Sequence, residues 1–271
     1  MNSISASDFD PFNLTIAHDP VDLLLSVPQL SDGETILKAL NDPRVYMNLE
    51  GPPFPYTPKD REAWHNIVKD GADLHRQQWI ELMQSCTDDS GMGGEQNGLP
   101  TRNDRKWIGG AQWASAIRAK VPKTEADAQG STYPFIGEIT IRRSGFPDIR
   151  DPEARRKATE ANAELVAGDA NILWEVGFYL IPEYHGKGIM PVVLMTLRDQ
   201  VLVPYMNVHR LLGTYFEHNA PSRRVFEKAG FQFLTFVPKG AKLAQSKVDA
   251  SGIKNGDMGI GIMQWKRTDS A

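Results

Sequence analysis

Trp174-Glu175-Val176-Gly177-Phe178-Tyr179-Leu180-Ile181-Pro182-Glu183-Tyr184-His185-Gly186-Lys187-Gly188-Ile189-Met190-Pro191 is the stretch on which the fold turns. It runs a β-strand pattern through a Gly-Lys-Gly loop into a helix start. Glycines at 186 and 188 admit backbone dihedrals closed to other residues and let the chain come close to a ligand. The unpaired amides of the following helix's first turn then point at that ligand, and this is how proteins hold a pyrophosphate. The loop residues His185, Gly186, Lys187, Gly188, Ile189 and Met190 are therefore the candidate diphosphate-binding set. Pro191 suits the first turn of the helix, and Val192, Val193, Leu194, Met195, Leu197 and Val201 supply its buried side.

Two other phosphate loops are excluded by spacing. A P-loop needs four residues between its glycines and a terminal Lys-Ser/Thr, and the dinucleotide fingerprint needs a third glycine deeper in the helix. Taken alone, the stretch also reads as a plain glycine-containing strand-to-helix turn. A second block downstream argues against that. After the β-rich run Arg210-Leu211-Leu212-Gly213-Thr214-Tyr215-Phe216 comes Asn219-Ala220-Pro221-Ser222-Arg223-Arg224-Val225-Phe226-Glu227-Lys228-Ala229-Gly230-Phe231. Here Asn219 can cap a helix, Val225 and Phe226 provide buried contacts, and Gly230 supplies the left-handed residue that ends the helix before the next strand.

In this order the two blocks resemble the GNAT superfamily of N-acetyltransferases. Its acetyl-coenzyme A loop follows Arg/Gln-x-x-Gly-x-Gly/Ala, against which this chain reads His185-Gly186-Lys187-Gly188-Ile189-Met190. The central glycine is in place, while His185 stands where Arg or Gln is usual and Met190 where a small residue is usual. The second block is similar to the family's Asn-x-x-Ser/Ala helix closing in Glu-Lys-x-Gly-Phe. Leu40-Asn41-Asp42-Pro43-Arg44-Val45, followed by Pro52-Pro53-Phe54-Pro55-Tyr56-Thr57 and an acidic helix with Trp64, resembles the amino-terminal part of the RimJ/RimL-like branch.

The resemblance implies an α/β (α+β) GNAT fold: a mixed central sheet of about seven strands, splayed between its fourth and fifth core strands and flanked by helices. It implies acetyl-CoA as co-substrate, no metal, and acetyl transfer to a primary amine. Main-chain groups near Phe178, Tyr179 and Leu180 would hold the pantetheine arm, with the Leu180 amide donating to the thioester oxygen as it becomes an oxyanion. An alkylammonium with a pKa of about 10.4 gives up roughly 4 to 5 kcal/mol to lose its proton at pH 7, so a base near the thioester is useful.

Glu175 matches the acidic position of the branch that reads Glu-Ile-Gly-Tyr and is the first candidate base, directly or through water. The alternative reading makes it a strand-end carboxylate satisfied by a neighbouring strand or arginine, and Glu138 is the second candidate. Many family members protonate the leaving thiolate with a tyrosine at the position held here by Phe226, which has no proton to give. Ser222 matches the serine with this task in the RimL-like branch. It also reads as plain support for a helix start beside Pro221, and Tyr215 and Tyr179 are further alternatives. Asn219 and Ser222 join the cofactor-binding set.

Composition bounds the rest. The chain has 271 residues, with 41% hydrophobic and 24% charged, ordinary for one globular domain with insertions. The amino end has no basic segment followed by an apolar stretch, and no apolar run approaches the roughly 20 residues that span a bilayer, so the expectation is a cytoplasmic protein with no membrane partner. Cys86 is the only cysteine, which rules out an internal disulfide and a cysteine zinc site. A net charge of −4 argues against nucleic-acid binding and suits a cationic amine. Arg142-Arg143 and Arg155-Arg156-Lys157 read as solvated faces. A homodimer is left open.

Residues 1–20 read as an irregular arm and 21–271 as a single domain with insertions near 87–106, 120–132, 145–170 and 237–259. Val21 to Val27 reads as an edge strand, and Ser31-Asp32-Gly33-Glu34 as a capping box before a helix with Ile36, Leu37 and Leu40 inward. A long helix starts at Pro58, weakened at Gly71, and runs to about Gln84. Strand alternation covers Gln112 to Arg118 and Phe135 to Arg142, and Ile260 to Trp265 reads as the last strand after a polar excursion from Val237 to Gly259. Asp151-Pro152-Glu153 opens a helix whose Ala154, Ala158, Ala161 and Leu165 stripe is expected to pack near the substrate mouth or to be a plain insertion.

The histidines offer no metal spacing, His65 and His75 being ten apart and His209 and His218 nine apart, and no Gly-x-Ser-x-Gly elbow is present. Two functions from different classes follow. One is an N-acetyltransferase, acting on a small-molecule amine, the preferred acceptor because long insertions would wall in the cleft, or on a peptide amino terminus or lysine. The other is a catalytically silent module that binds acetyl-CoA.

Overall fold

Alternation along the chain decides the strands, and two of them carry the site. In Phe135–Arg143 and Leu173–Leu180 successive side chains point to opposite faces, so Trp174, Val176 and Phe178 fall on one face and Glu175, Gly177 and Tyr179 on the other. The computed structural model describes residues 10–88, 107–109, 114–121, 133–251 and 255–268, without the side chains of 85–88. Its strands are β1 (Asn13–Ile16), β2 (Leu23–Ser26), β3 (Ala116–Ala119), β4 (Phe135–Arg143), β5 (Leu173–Leu180), β6 (Arg210–Phe216), β7 (Gln232–Lys242) and β8 (Asp257–Lys266). The helices are α1 (Gly33–Leu40), α2 (Pro43–Tyr46), α3 (Pro58–Asp88), α4 (Pro152–Glu164), α5 (Ile189–Leu197), α6 (Val203–Met206), α7 (Ala220–Lys228) and α8 (Gln245–Ser251).

Among the described residues eight strands form one sheet in the order β1-β2-β3-β4-β5-β6-β8-β7. Every neighbouring pair is antiparallel except β5 and β6, which run parallel. A parallel pair needs a crossover, and α5 supplies it. Val193, Leu194, Leu197 and Val201 are buried in the main core with Trp174, Val176 and Leu211 of the sheet and Phe226 of α7. Helical structure continues from α5 through a π-helical turn at Arg198–Leu202 into α6. The run Ile189–Met206 has the length and mean hydropathy (1.2) of a membrane span, yet half of it is buried within the fold, as a core helix is.

The opposite face carries two smaller clusters. Leu212, Phe216, Val237 and Ile260 lie with Val248 of α8, while Ile36 and Leu40 of α1, Val45 of α2 and Tyr56 lie with Phe135 of β4. Three polar clamps fix the α1–α2 segment there. Arg118 of β3 donates to both Asp32 oxygens (2.8 and 2.7 Å) in a fully buried fork that also takes Ser26 Oγ. Asn41 exchanges two hydrogen bonds with the Tyr56 backbone, and the buried Lys247 donates to Leu49 O at 2.6 Å.

Several expectations change. The arm expected over residues 1–20 contains strand β1, because Leu14 and Ile16 pair with Leu25 and Leu23 and bury with them, and β1 rather than β2 is the edge. The capping box sits earlier than Ser31–Glu34: Asp32 takes the Gln29 amide at 2.7 Å, while Glu34 pairs with Lys38 in solvent. Gly71 does not interrupt α3, since one glycine costs a helix interior only about 1 kcal/mol. The polar excursion is narrower than 237–259, because β7 runs to Lys242 and β8 begins at Asp257. The Ala154, Ala158, Ala161 and Leu165 stripe is not a buried face. Asn162 is the buried residue of α4, exchanging two hydrogen bonds of 2.9 Å with the Leu173 backbone, and Arg143 is no solvated cation but donates to the carbonyls of Asn162, Ala163 and Leu165. Most of the segments 87–106 and 120–132, and residues 112–113 of the expected Gln112–Arg118 strand, lie outside the described residues.

Candidate active site

The site starts where β5 loses one of its neighbours. The β5–β6 ladder pairs Leu173, Trp174, Glu175 and Val176 with Arg210, Leu211, Leu212 and Gly213 and stops. Beyond it β5 stays paired with β4 to Leu180, and β6 stays paired with β8 to Phe216, so the sheet opens between the two strands. Gly213 stands at the last pair because the Phe226 ring occupies the place of its side chain, and any Cβ there would overlap that ring.

Main-chain direction follows from the ladder. Ile181 N donates to Ile136 O and Ser144 N to Leu173 O, so the odd-numbered residues of β5 turn their peptide groups toward β4. Alternation therefore turns those of Phe178 and Leu180 the other way, into the opening. The Leu180 carbonyl there takes a hydrogen bond from His185 Nε2 at 2.8 Å, which folds the loop back onto the strand end.

Past a 3-10 turn at Pro182–Tyr184, Gly186 and Gly188 both have φ of 75°, in the left-handed region that favours glycine. Gly188 is the N-cap of α5, and the amides of Gly186, Lys187 and Gly188 take no backbone partner among the described residues. A Cβ on Gly186 would meet nothing within 4 Å, so the concavity is open to a ligand's oxygens. Lys187 lies over the Tyr184 ring at 4.9 Å.

A cleft of about 670 Å³ joins this loop to the opening. The expected residues Phe178, Tyr179, Leu180, His185, Gly186, Lys187, Gly188, Ile189, Met190, Asn219 and Ser222 all line it. Asn219 caps α7, its Oδ1 accepting from Ser222 N at 3.1 Å. The Ser222 hydroxyl makes no hydrogen bond among the described residues and is half-buried at the cleft wall.

Neither candidate base lines the cleft. Glu175 belongs to the doubly paired half of β5, about 13 Å along the strand from Tyr179. Arg142 Nη2 donates to one of its oxygens at 2.8 Å and Ser144 Oγ to the other at 3.3 Å, so this is a satisfied strand carboxylate. Glu138 faces Tyr179 across the β4–β5 ladder but sits behind it. Trp64 of α3 donates to Glu138 at 3.0 Å, and burial, opposed by its hydrogen-bonding neighbours, pushes the carboxyl up to about 7. Tyr179 contributes its ring to the cleft and turns its hydroxyl inward, where burial and the Glu138 charge hold it well above the usual phenol range. Tyr215 covers Gly261 of β8 and is not among the cleft residues, and Phe226 is core, packed on Phe178 at 5.3 Å.

The cleft adds residues that sequence reading missed. Pro221, Arg224, Val225 and Lys228 line it from α7 at helical one-face spacing, which was a readable signal and brings two cations to its edge. Arg44, Asn48 and Leu49 roof it from the α2 side, and His218 enters from the β6–α7 turn. Only the three-dimensional fold brings the α2 segment here.

Comparisons with known proteins agree with this geometry. No curated protein matches the chain in sequence. Among solved structures, Mycobacterium smegmatis RimJ in complex with CoA-disulfide aligns over 94% of this chain and 86% of its own, with a TM-score of 0.55 at 10% identity. The ribosomal-protein-S5-alanine acetyltransferase from Vibrio fischeri covers 95% and 99% (TM-score 0.51, 15% identity). RimL, a ribosomal L7/L12 alpha-N-protein acetyltransferase in complex with coenzyme A, covers 93% and 98% (TM-score 0.52, 12% identity). At such identities these likenesses show a shared fold. Residues 101–232 match the family described as acetyltransferase (GNAT) domain, a span that holds β4, the splay and both glycine-bearing blocks.

Proposed function

We propose that this protein transfers the acetyl group of acetyl-CoA to a primary amine bound at the splay. The observation that carries the reading is the open end of β5, where main-chain groups of Phe178 and Leu180 face a cleft that leads to a left-handed glycine loop at a helix amino terminus. The two structural relatives described with coenzyme A share this fold. In this chain the amides of residues 186–190 would take the diphosphate, with Lys187, Arg224 and Lys228 close enough to balance its charge. The thioester supplies an activated acetyl group. The Leu180 amide would donate to the acetyl oxygen as charge develops on it, a contribution of about 3 to 4 kcal/mol for one well-placed donor. Ser222, free to donate, would protonate the departing thiolate.

The acceptor reading shifts with the structure. The sequence favours a small amine on the expectation that the insertions wall in the cleft. The 145–170 insertion instead folds α4 against Leu173, at the other end of β5 from Leu180, and does not wall the cleft. That removes one ground for preferring a small amine over an extended peptide amino terminus, and two of the structural relatives are described as acetyltransferases of ribosomal proteins. The peptide is the first acceptor to test, with small amines as the second reading on grounds of the acidic net charge.

The test is thiol release from acetyl-CoA with hexapeptides differing in their first residue, alongside diamines and benzylamine. Turnover on the peptides is expected, and turnover confined to the small amines would return the second reading. Calorimetric binding of acetyl-CoA without thiol release on any acceptor would make the protein a silent module. No binding at all would end the proposal.

A further inference from the structure

Both carboxylates expected to act as base are engaged away from the cleft, and the group that replaces them stands on the β6–α7 turn. We infer that His218 is the general base, with Asn48 as the residue that sets its tautomer; this rests on the acetyl-transfer reading of the same cleft. His218 lines the same cleft as Phe178 and Leu180 and meets Asn48 on its α2 side. Its ring is exposed and stacks near Phe216, centroid to centroid 5.8 Å.

The tautomer follows from hydrogen bonds. Asn48 Nδ2 donates to Arg44 O at 3.0 Å, one turn back in its own segment. That bond fixes which end of the Asn48 amide faces outward, and Oδ1 is left 3.1 Å from His218 Nε2. An amide oxygen only accepts, so Nε2 carries the proton and donates. Nδ1 then holds the lone pair. It has no hydrogen-bond partner among the described residues, and His218 is an exposed residue of the cleft lining. This is the logic of an oriented histidine base: the far nitrogen is held by an acceptor, and the near one is left to take a proton.

The steps balance. Nδ1 takes a proton from the acceptor ammonium and becomes the Nδ1–H, Nε2–H imidazolium. The freed amine forms the C–N bond at the thioester carbon. The C–S bond breaks, and the amine nitrogen's second proton ends on sulfur by way of Ser222 or water. His218 then returns its proton to solvent, so that ammonium plus acetyl-CoA gives amide, coenzyme A thiol and one proton. The charged or titratable groups sharing the cleft are Arg44, Tyr184, His185, Lys187, Arg224 and Lys228, and Glu217, the residue before His218, turns its carboxylate to the Gly259 amide. With so many neighbours, the pH limb is assigned by the variant that loses it rather than by its midpoint.

The experiment has two readouts. Long-range proton–nitrogen NMR of the free full-length protein, with the His218 signals identified by their loss in His218→Gln, is expected to show the neutral Nε2–H form. Asn48→Ala should convert it to a tautomer mixture. The second readout is kcat/KM against pH on the best acceptor of the panel. His218→Gln keeps a donor toward Asn48 but offers no base, and should lose about 100-fold near pH 7, erase the acidic limb, and close most of the gap by about pH 10, where the amine deprotonates unaided. Its acetyl-CoA affinity and Tm should stay at wild-type values, which separates a lost base from a lost fold. An Nδ1–H tautomer, or a wild-type pH profile in His218→Gln, would overturn the inference. Wild-type protein that neither binds acetyl-CoA nor turns over would instead overturn the acetyl-transfer reading, with the tautomer still decided by NMR.

Discussion

The two halves of β5 share one strand and one neighbour, yet only one half leaves main-chain groups unpaired toward a cleft. From Leu173 to Val176 the strand is paired on both sides, and its one carboxylate, Glu175, is closed off by Arg142 and Ser144. From Gly177 to Leu180 it is paired on one side only, and its outward peptide groups face a cleft instead of a strand. A backbone group that a ladder has satisfied has nothing left to offer a ligand. The opening, more than the identity of any side chain, is what makes this end of the strand a site.

The largest blow to the open half is Gly188→Trp. A side chain at a φ of 75°, at the N-cap whose amides are proposed to meet the diphosphate, should weaken acetyl-CoA binding by about 100-fold or more in calorimetry. Affinity within a few-fold of wild type would mean that the loop is only a turn.

Next in size is a stability effect from behind the cleft. The Glu138 carboxyl, pushed up to about 7 by burial, binds protons more tightly folded than unfolded. Its contribution is therefore complete below the unfolded carboxyl's ordinary value and is lost as pH rises through 7, about 3 kcal/mol between pH 4 and 8 as an order of magnitude. Denaturant unfolding should show wild type weakening over that range and Glu138→Gln holding steadier. Equal slopes would place Glu138 in contact with solvent, and so back among the candidate bases.

Ser222→Ala should lower kcat about tenfold with little change in KM for acetyl-CoA, about 1.4 kcal/mol of barrier. The smallest effect is expected in the closed half. Glu175→Gln should keep turnover within about twofold and cost about 1 kcal/mol of stability or less, since its partner Arg142 is exposed. A loss of turnover on the scale of Ser222→Ala would put chemistry in the paired half and break the comparison.

What could be read without coordinates follows the range of the interactions. The left-handed glycines at 186 and 188, the Asn219 cap, Gly230 at the end of α7 and the strand–loop–helix order are local, governed by dihedral limits and hydrogen bonds between near neighbours in the chain, and the structure has each of them. Reading failed where pairing was distant. The β1 strand was missed because four residues carry too little pattern without their partner, and α4 stayed open between the substrate mouth and a plain insertion because its ties, Asn162 to Leu173 and Arg143 to the helix end, join distant segments.

The sequence by itself thus determined where the left-handed glycine turn and its helices stand, because short-range sterics leave such residues few conformations. Which distant side chains join them in the cleft was decided by the tertiary structure alone. Asn48 and His218 are 170 residues apart, and Glu138 and Glu175 look alike in sequence, each a carboxylate on a strand. Their different roles come from how the strands pair and which groups that pairing leaves unsatisfied, a property of no single segment.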